Sequence, residues 1–374
     1  MEDGGRRLTR RFVRRLDAER YMRLMLIGFA GTLLGTRAYL ALTGYPQIGG
    51  GVLHIAHALW GGLLLMVAAL VPLLAANRSA LVWSALVTGV GAGLFVDEVG
   101  KFITADNDYF FPAAAPIAYG VFLLCLWVYL RARRRRDLTP RAQLYAAVEL
   151  LTDALDHDLS PSERVDLERH LRAAAHQAQS DELARLADTL LDLTQPGVLP
   201  VTSDDPGLLR RLGGRLRASV DRLFSDRRLQ QTLVAALTLL GLLAVSDLVI
   251  IVAIAIDLAD RSSGNVVRVA NRFARVEIAD ERGVLLLLVR AGLDVLVGVT
   301  LLVAAWLLSR QHQHAPQRRR ALGLAQGGLL TSVTVVNLLV FYLEQFVAAV
   351  FAVVQLTVLY GVQRYQRRLD RREE

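Results

Sequence analysis

The chain has 374 residues, of which 53% are hydrophobic, and a formal net charge of +8. Its hydrophobic residues are gathered into blocks of about 20, the length that crosses a bilayer, whereas a water-soluble protein disperses them. The basic residues cluster beside these blocks and accompany no recognition motif, which argues against nucleic-acid binding and favours contact with lipid headgroups. A single cysteine, Cys125, excludes an intramolecular disulfide.

The apolar blocks predict an all-α, polytopic integral membrane protein with about eight transmembrane helices. The last two blocks are separated by only three residues, so a kinked or re-entrant pair remains an alternative to two full crossings. No cleavable signal peptide is apparent, and the first block is expected to stay as an anchor. The predicted spans are Arg23–Thr43, Leu53–Ala75, Leu81–Ile103, Pro112–Leu130, Thr232–Ile256, Val284–Leu308, Ala321–Tyr342 and Phe346–Val362.

The arginines predict the orientation of these spans. They cluster before span one, after span four, before span seven and after span eight, at positions that even-numbered crossings place on one side. The positive-inside tendency makes that side the cytoplasm. We therefore expect a plasma (inner) membrane protein with both termini cytoplasmic. The arginines concerned are Arg6, Arg7, Arg10, Arg11, Arg14, Arg15, Arg20, Arg131, Arg133 to Arg136, Arg318 to Arg320, Arg364, Arg367, Arg368, Arg371 and Arg372.

Spans two and three carry a set of polar residues near their outer ends. His54 and His57 are three residues apart in span two, and Gly89, Gly93, Asp97 and Lys101 recur every four residues in span three. The glycines would allow the helices to approach closely. If spans two and three pack side by side and antiparallel, their polar residues lie at a similar depth in the membrane, with Arg37 from span one nearby. The expected set is His54, His57, Asp97, Glu98, Lys101 and Arg37, with Asp106, Asn107 and Asp108 in the loop above.

Two chemistries fit this set. His54, His57 and Asp97 match the ligands that zinc or iron takes in proteins, and Asp97, Glu98 and Lys101 could act as acid and base. Lys101 is the only lysine in the chain, which suggests that an ammonium is required there. The alternative is structural, because Glu98 and Asp97 lie three and four residues before Lys101 and can simply neutralise it.

A polar stretch of about 100 residues separates spans four and five and predicts a small helical insert in the cytoplasm. Thr139-Pro140 is a helix start, and Ser160-Pro161-Ser162-Glu163 is a capping box. A break is expected near Ser180, and Leu208–Leu229 reads as a basic amphipathic helix on the inner leaflet. The expected apolar face of the first insert helix is Leu144, Val148, Leu151 and Leu155. The insert is either a packing or dimerisation module or a site for a cytoplasmic partner.

The second half holds fewer polar residues within its spans. Arg290 and Asp294 are four residues apart and are expected to pair, with Asp247 joining them from another helix. Asn337 and Glu344 complete the set. These residues are interpreted as structural contacts or, alternatively, as part of a transport path.

The spans form two sets of four, and the two sets are hypothesised to be parallel repeats. The predicted domains are a basic tail (1–22), a first membrane unit (23–131), the cytoplasmic insert (132–231), a second membrane unit (232–363) and a charged tail (364–374).

Three classes of function remain open from the residues alone. One is a membrane-embedded enzyme that uses the outer polar set for metal-assisted or acid–base chemistry on a lipid or lipid-linked substrate. The others are a proton- or cation-coupled transporter and a non-catalytic scaffold or sensor. The expected partners are membrane lipids, with a homo-oligomer or a cytoplasmic protein as a further partner through the insert.

Overall fold

The computed structural model describes residues 12–44, 56–106, 108, 111–133, 138–156, 159–178, 180–195, 198–199, 226–259, 267, 271, 281–310 and 315–373. Within these ranges the secondary structure is helical and contains no strand. Eight helices of the described residues are long and apolar enough to cross a membrane. The prediction of an all-α polytopic membrane protein is therefore confirmed.

The helices follow the predicted blocks closely in chain order. Only between 17% and 50% of each apolar window is buried inside the protein, so much of every span is left with an apolar surface that lipid would cover. The helices are α1 Ala18–Thr43, α2 His57–Leu74, α3 Arg78–Asp97, α4 Val99–Ile103, α5 Ala114–Arg133, α6 Pro140–Leu155, α7 Pro161–Gln177, α8 Asp181–Asp192, α9 Asp226–Val245, α10 Leu248–Ala259, α11 Glu281–Ser309, α12 Ala315–Thr331, α13 Asn337–Glu344 and α14 Ala348–Glu373.

Three spans that the sequence predicts as continuous helices are interrupted. Span three ends its first helix at Asp97 and resumes at Val99 after Glu98. Span five has a turn at Ser246 and Asp247 between α9 and α10. Span seven passes through a π-helical stretch, Ser332–Val336, between α12 and α13. The prediction of one unbroken stripe through Asp97 and Lys101 is therefore wrong, because the turn at Glu98 changes the register between them.

The last two spans are joined by a tight turn, and both are long and apolar enough to cross a membrane. Helix α13 ends at Glu344, and Gln345 has φ 53° and ψ −140°. Positive φ is unfavourable for a side-chain-bearing residue, and here it reverses the chain within one short 3₁₀ turn, Gln345–Val347. Helix α14 then packs against α12 and α13, and these helices form a hairpin.

The chain divides into two compact units. Unit 1 comprises 1–96 and 124–208, and unit 2 comprises 97–123 and 209–374. Unit 1 thus holds α1, α2, most of α3 and the insert, and unit 2 holds α4, the first half of α5 and the spans of the second half.

Glycines determine the packing of α3 in unit 1, as expected for membrane helices. A Cβ atom on Gly89 would lie 2.2 Å from the Met25 carbonyl oxygen of α1. On the opposite side, a Cβ on Gly61 of α2 would lie 2.6 Å from the Phe95 nitrogen. Ser84 also donates a hydrogen bond of 2.7 Å to the Ala68 carbonyl of α2. Helix α3 is therefore in backbone contact with α1 and α2 at once.

The local signals in the insert are confirmed. The Thr139 side chain accepts from the Ala142 amide at the start of α6, Ser160 and Glu163 form the predicted capping box of α7, and α8 begins after Ser180. The predicted amphipathic helix Leu208–Leu229 lies outside the described residues except for its last turn, which is the start of α9.

The predicted buried face of α6 is wrong in part. Val148 and Leu155 are 52% and 81% exposed. The face that packs against α7 instead centres on Leu144, Ala147 and Leu150. Small side chains at the alanine position let α7 approach closely, so the face with the smaller residues is buried and the larger branched residues remain outside.

The insert is attached to the ends of α1 and α3 within unit 1. The Arg78 guanidinium, at the first residue of α3, contacts the carboxylates of Asp17, Asp153 and Glu163. The Leu16 amide also donates to the Glu149 carboxylate at 2.9 Å. The start of α1, the start of α3 and the insert therefore share one end of the unit.

His170 gives the insert a dependence on pH. Its imidazole packs between α7 and α6, where Nδ1 contacts Gln143, and burial lowers the pKa of His170 below its ordinary value of 6.5. The folded insert therefore binds this proton less well than the unfolded chain, and stability present above pH 6.5 is lost as the pH falls through the folded pKa. After correction for the effect of pH on intrinsic amide exchange, we expect the amides of α6 and α7 to be less protected at pH 5.5 than at pH 7.5.

The variant His170→Gln should remove this pH-dependent loss of amide protection. His176→Gln, in the last turn of the same helix, is the matched control and should retain it. Equal exchange behaviour in both variants would show that His170 is not the titrating group.

Unit 2 is built on a core of α9, α11, α12 and α14 with the first half of α5. At one end of this unit, Gln230 donates to the Leu308 carbonyl at 2.6 Å and accepts from the Tyr365 hydroxyl at 3.2 Å. At the other end, Leu343 packs against residues of α10 and α11. The tip of the α13–α14 hairpin is therefore covered by these two helices.

Candidate functional site

The polar residues of span three form a buried ion pair in unit 2. Asp97 and Glu98 are each 1% exposed, and Lys101 Nζ lies 2.6 Å from Glu98 Oε1. The predicted neutralisation of Glu98 by Lys101 is therefore present. It occurs across the break between α3 and α4, which turns Glu98 and Lys101 toward each other.

The loop that follows folds back onto α4. The Thr104 hydroxyl donates to the Gly100 carbonyl at 2.8 Å and accepts from the Asp108 amide at 2.7 Å. A Cβ on Gly100 would lie 2.6 Å from the Asp108 carbonyl oxygen, so this contact requires glycine. Asp106 and Asp108 are exposed, and Asn107 lies outside the described residues.

The remaining predicted site residues belong to unit 1. Arg37 is buried on α1, and His57 is the half-buried first residue of α2. His54 lies outside the described residues. No group of three metal-ligating side chains occurs among the residues that the structure describes. The metal site of His54, His57 and Asp97 stays a prediction, as does the joint site with Arg37, Glu98 and Lys101.

The second half brings four charged side chains together in unit 2. Three nitrogens of the Arg290 guanidinium each contact one carboxylate: Nη2 lies 3.2 Å from Asp247, Nε 3.1 Å from Asp294, and Nη1 3.2 Å from Glu344. The predicted Arg290–Asp294 pair and its contact with Asp247 are thus present. Glu344, which belongs to the same predicted polar set but was given no partner, is the third carboxylate. All four side chains are 11–18% exposed.

This cluster lies in the wall of a cavity of about 310 Å³. The cavity is lined by α9, α10, α11, α12, α13 and α14, and apolar side chains make up roughly half of its lining. The lining residues are Leu240, Leu243, Ala244, Ser246, Asp247, Ile250, Arg290, Asp294, Val297, Leu301, Leu329, Ser332, Asn337, Val340, Glu344, Phe351 and Gln355.

Comparisons with protein-family models, with curated proteins and with solved structures found no match to this chain. What the site does is therefore argued from its geometry.

The breaks in spans five and seven adjoin this cavity. Ser246 and Asp247 form the turn between α9 and α10, and Ser332 begins the π-helical stretch before α13. All three residues line the cavity. Irregular backbone at membrane depth is tolerated where it is buried in protein or faces a polar cavity, and π-helical turns are frequent at functional sites. The backbone is thus reshaped where the polar side chains converge.

A second polar layer lies deeper in the cavity. Asn337 is 2% exposed, and its Nδ2 donates to Gln355 Oε1 at 2.8 Å and to the Tyr119 hydroxyl at 3.3 Å. The Tyr119 hydroxyl donates to the Val333 carbonyl at 2.7 Å. Tyr119 also stacks on Phe341, with ring centroids 4.3 Å apart. This network fixes the orientation of the Asn337 amide.

Sequence reasoning missed most of this cavity. Ser246, Ser332, Tyr119 and Gln355 were not singled out, although each is a polar residue inside an apolar block. That position is the signal that could have found them, because polar groups within spans are costly unless partnered. Their convergence depends on helices far apart in sequence, which periodicity alone does not reveal.

The electrostatics of the carboxylate layer are unbalanced. Asp247, Asp294 and Glu344 surround the Arg290 guanidinium, which is the only cation among the described residues that line the cavity. Charges withdrawn from water must be compensated. Since Arg290 supplies one positive charge against three carboxylates, the layer is suited to hold further positive charge as protons or as a bound cation.

Proposed function

We propose that this protein is a multi-pass plasma-membrane transporter that binds protons or another cation in the cavity around Arg290 and couples that binding to transport. The observation that carries the proposal is the excess of carboxylates in a cavity between membrane-spanning helices. Ionisable groups placed within spans commonly belong to ion or substrate pathways.

The interrupted helices favour the transporter class. Span three breaks at Glu98, and span seven is remodelled between Ser332 and Val336. These are the third spans of the two predicted sets of four. Interrupted segments at corresponding positions of two halves point to a binding site in transporters built from repeats. No proline marks either interruption, so neither was predicted from the sequence.

The enzyme hypothesis rests on a different set of residues and is the second candidate. It is favoured by the burial of Asp97 and Glu98 beside Lys101, since a buried carboxylate and ammonium can exchange a proton. It also requires His54 and His57 to join them with zinc or iron. That arrangement remains a prediction.

The orientation is part of the proposal. The start of α1, the start of α3 and the insert share one end of unit 1 through Arg78 and Glu149. The same end carries Arg15 and Arg133, which contact Glu149 and Glu19, and the positive-inside tendency assigns an arginine-rich end to the cytoplasm. We propose on this basis that both termini and the insert are cytoplasmic, and that membrane lipids cover the exposed apolar faces of the spans. The insert is the proposed surface for self-association or for a cytoplasmic partner.

Ion flux through the purified protein tests the proposed function. We expect full-length protein in liposomes containing a trapped pH dye to admit protons, or sodium ions when these are supplied, under an inside-negative potential. Asp294→Asn should reduce this flux about tenfold or more, because it removes one carboxylate of the layer. Asp188→Asn, an exposed position on α8, is the matched control and should leave it unchanged.

Two results would count against the transporter. One is flux no greater than that of protein-free liposomes with protons, sodium ions and organic amines alike. The other is equal flux in the wild type and in Asp294→Asn.

A further inference from the structure

The cavity around Arg290 has two polar layers separated by an apolar wall. Asn337 and Glu344 are the first and last residues of α13 and lie about 10 Å apart along the helix axis. The carboxylates of Asp247, Asp294 and Glu344 gather around the outer layer, and Ser332, Asn337 and Gln355 form the deeper amide layer. A ligand that contacts both layers must be elongated.

The wall between the layers is hydrocarbon. Leu240 and Leu243 come from α9, Val297 and Leu301 from α11, and Phe351 from α14. The volume of about 310 Å³ corresponds to roughly ten water-sized groups at about 30 Å³ each. A short alkyl chain with a polar group at each end fits this volume and this wall.

The amide layer offers an unused hydrogen-bond acceptor. Both hydrogen bonds of the Asn337 side chain use its Nδ2 as donor. Within the part of the chain that the structure describes, no hydrogen bond is made by Asn337 Oδ1, although the residue is 2% exposed and lines the cavity. Among the described residues, the Tyr21 hydroxyl is the only fully buried side-chain polar atom without a partner, so Asn337 Oδ1 is not sealed inside the protein. Because Asn337 lines the cavity, this oxygen is where a ligand hydroxyl or amine can donate.

The outer layer selects a positive end. Each of the three carboxylates contacts a different nitrogen of Arg290, so the carboxylates are spread around the guanidinium and do not converge on one point. This arrangement suits an ammonium, which can donate hydrogen bonds to oxygens on several sides, better than a small inorganic ion that needs converging ligands.

We infer that the cavity binds an elongated organic amine, with its ammonium among the carboxylates of Asp247, Asp294 and Glu344 and a hydroxyl or second amine at Asn337 Oδ1. The inference rests on the proposed function, because it names the class of ligand for the same cavity. Asn337 is then a specificity-determining residue, because it accepts a hydrogen bond from the hydroxyl or second amine at the other end of the ligand.

A ligand series with the full-length protein in nanodiscs tests this inference. The probes are α,ω-amino alcohols of increasing chain length, n-alkylamines of matched length and α,ω-diols, with binding measured by calorimetry. We expect the amino alcohols to bind best, with an affinity that peaks at one chain length and a nitrogen-to-oxygen span under about 10 Å. The matched alkylamine should bind about tenfold more weakly, since it leaves Asn337 unpaired, and the diol should not bind measurably.

Variants separate recognition from folding. Asn337→Ala should bring the affinity for the best amino alcohol down to that of the alkylamine and leave the alkylamine affinity unchanged. If Asn337→Ala fails to fold, Gln355→Ala makes the same test, because Gln355 holds the Asn337 amide in place. Asp247→Asn should lower the affinities for the amino alcohol and for the alkylamine by the same factor.

The inference is overturned if no amine binds, if affinity is independent of chain length, or if amino alcohol and alkylamine bind equally in the wild type. Proton or sodium flux without amine binding would contradict the amine as ligand but would still support the proposed transporter function. Amine binding without any flux would support the amine as ligand and contradict the proposed transporter function.

Discussion

Replacing Arg290 by glutamine is expected to lower the free energy of unfolding of the full-length protein by about 3–5 kcal/mol. The guanidinium is the shared partner of Asp247, Asp294 and Glu344. Its removal leaves three carboxylates close together in a setting that is poorly solvated, and the penalty for a buried charge without its partner exceeds what the ion pair itself contributes. The loss can be measured by unfolding in mixed detergent micelles.

Arg310→Gln is the matched control for this variant. Arg310 follows α11, the helix that carries Arg290, and it is exposed, with its guanidinium 3.7 Å from the centre of the Trp306 ring. Its replacement should cost less than about 1 kcal/mol. Equal losses in the two variants would mean that the carboxylate layer does not depend on Arg290 for its stability.

A compensated variant separates charge from packing at the same site. Arg290→Met together with Asp247→Asn, Asp294→Asn and Glu344→Gln removes all four charges of the network while keeping similar volumes. Because neutral replacement of a whole buried charge network is often neutral or stabilising, this variant should recover most of the stability lost in Arg290→Gln.

Gly89→Ala is expected to destabilise the protein by up to about 3 kcal/mol. A Cβ atom at this position would lie 2.2 Å from the Met25 carbonyl oxygen and 2.9 Å from the Phe29 nitrogen. Both contacts are with backbone, so no side chain can rotate away, and α1 and α3 must separate along their contact. The same micelle unfolding measurement applies.

Gly31→Ala is the control on the neighbouring helix. Gly31 lies on α1, and a Cβ there has nothing within 4 Å. Alanine has the higher helix propensity, so this variant should match or exceed the wild type by up to about 1 kcal/mol. If Gly89→Ala proved as stable as Gly31→Ala, the close approach of α1 and α3 would be refuted.

Local sequence patterns determined the features that act over one or two helical turns. The apolar blocks placed the eight spans, because a bilayer core sets their minimum length. The Ser160 to Glu163 pattern determined the start of α7, because both partners of a capping box lie within four residues. The Arg290–Asp294 contact follows from the same short range, since residues four apart share a helical face.

Tertiary structure decided which of these patterns are buried and where the helices break. Val148 and Leu155 continue an apolar stripe on α6, yet α7 packs on the face that carries Ala147, because close helix approach depends on side-chain size at the contact as well as on hydrophobicity. The breaks at Glu98 and Asp247 have no proline to mark them. They depend on partners such as Lys101 and Arg290 that satisfy the polar groups there.

The cavity depends entirely on tertiary structure. Asp247, Arg290 and Gln355 line it from three different spans, and Tyr119 contacts the lining residue Asn337 from a fourth. Periodicity assigns a residue to a face of its own helix but does not identify the helix opposite. Composition and local spacing therefore determined a membrane protein with about eight helices, and only the packing of distant helices placed three carboxylates around one arginine.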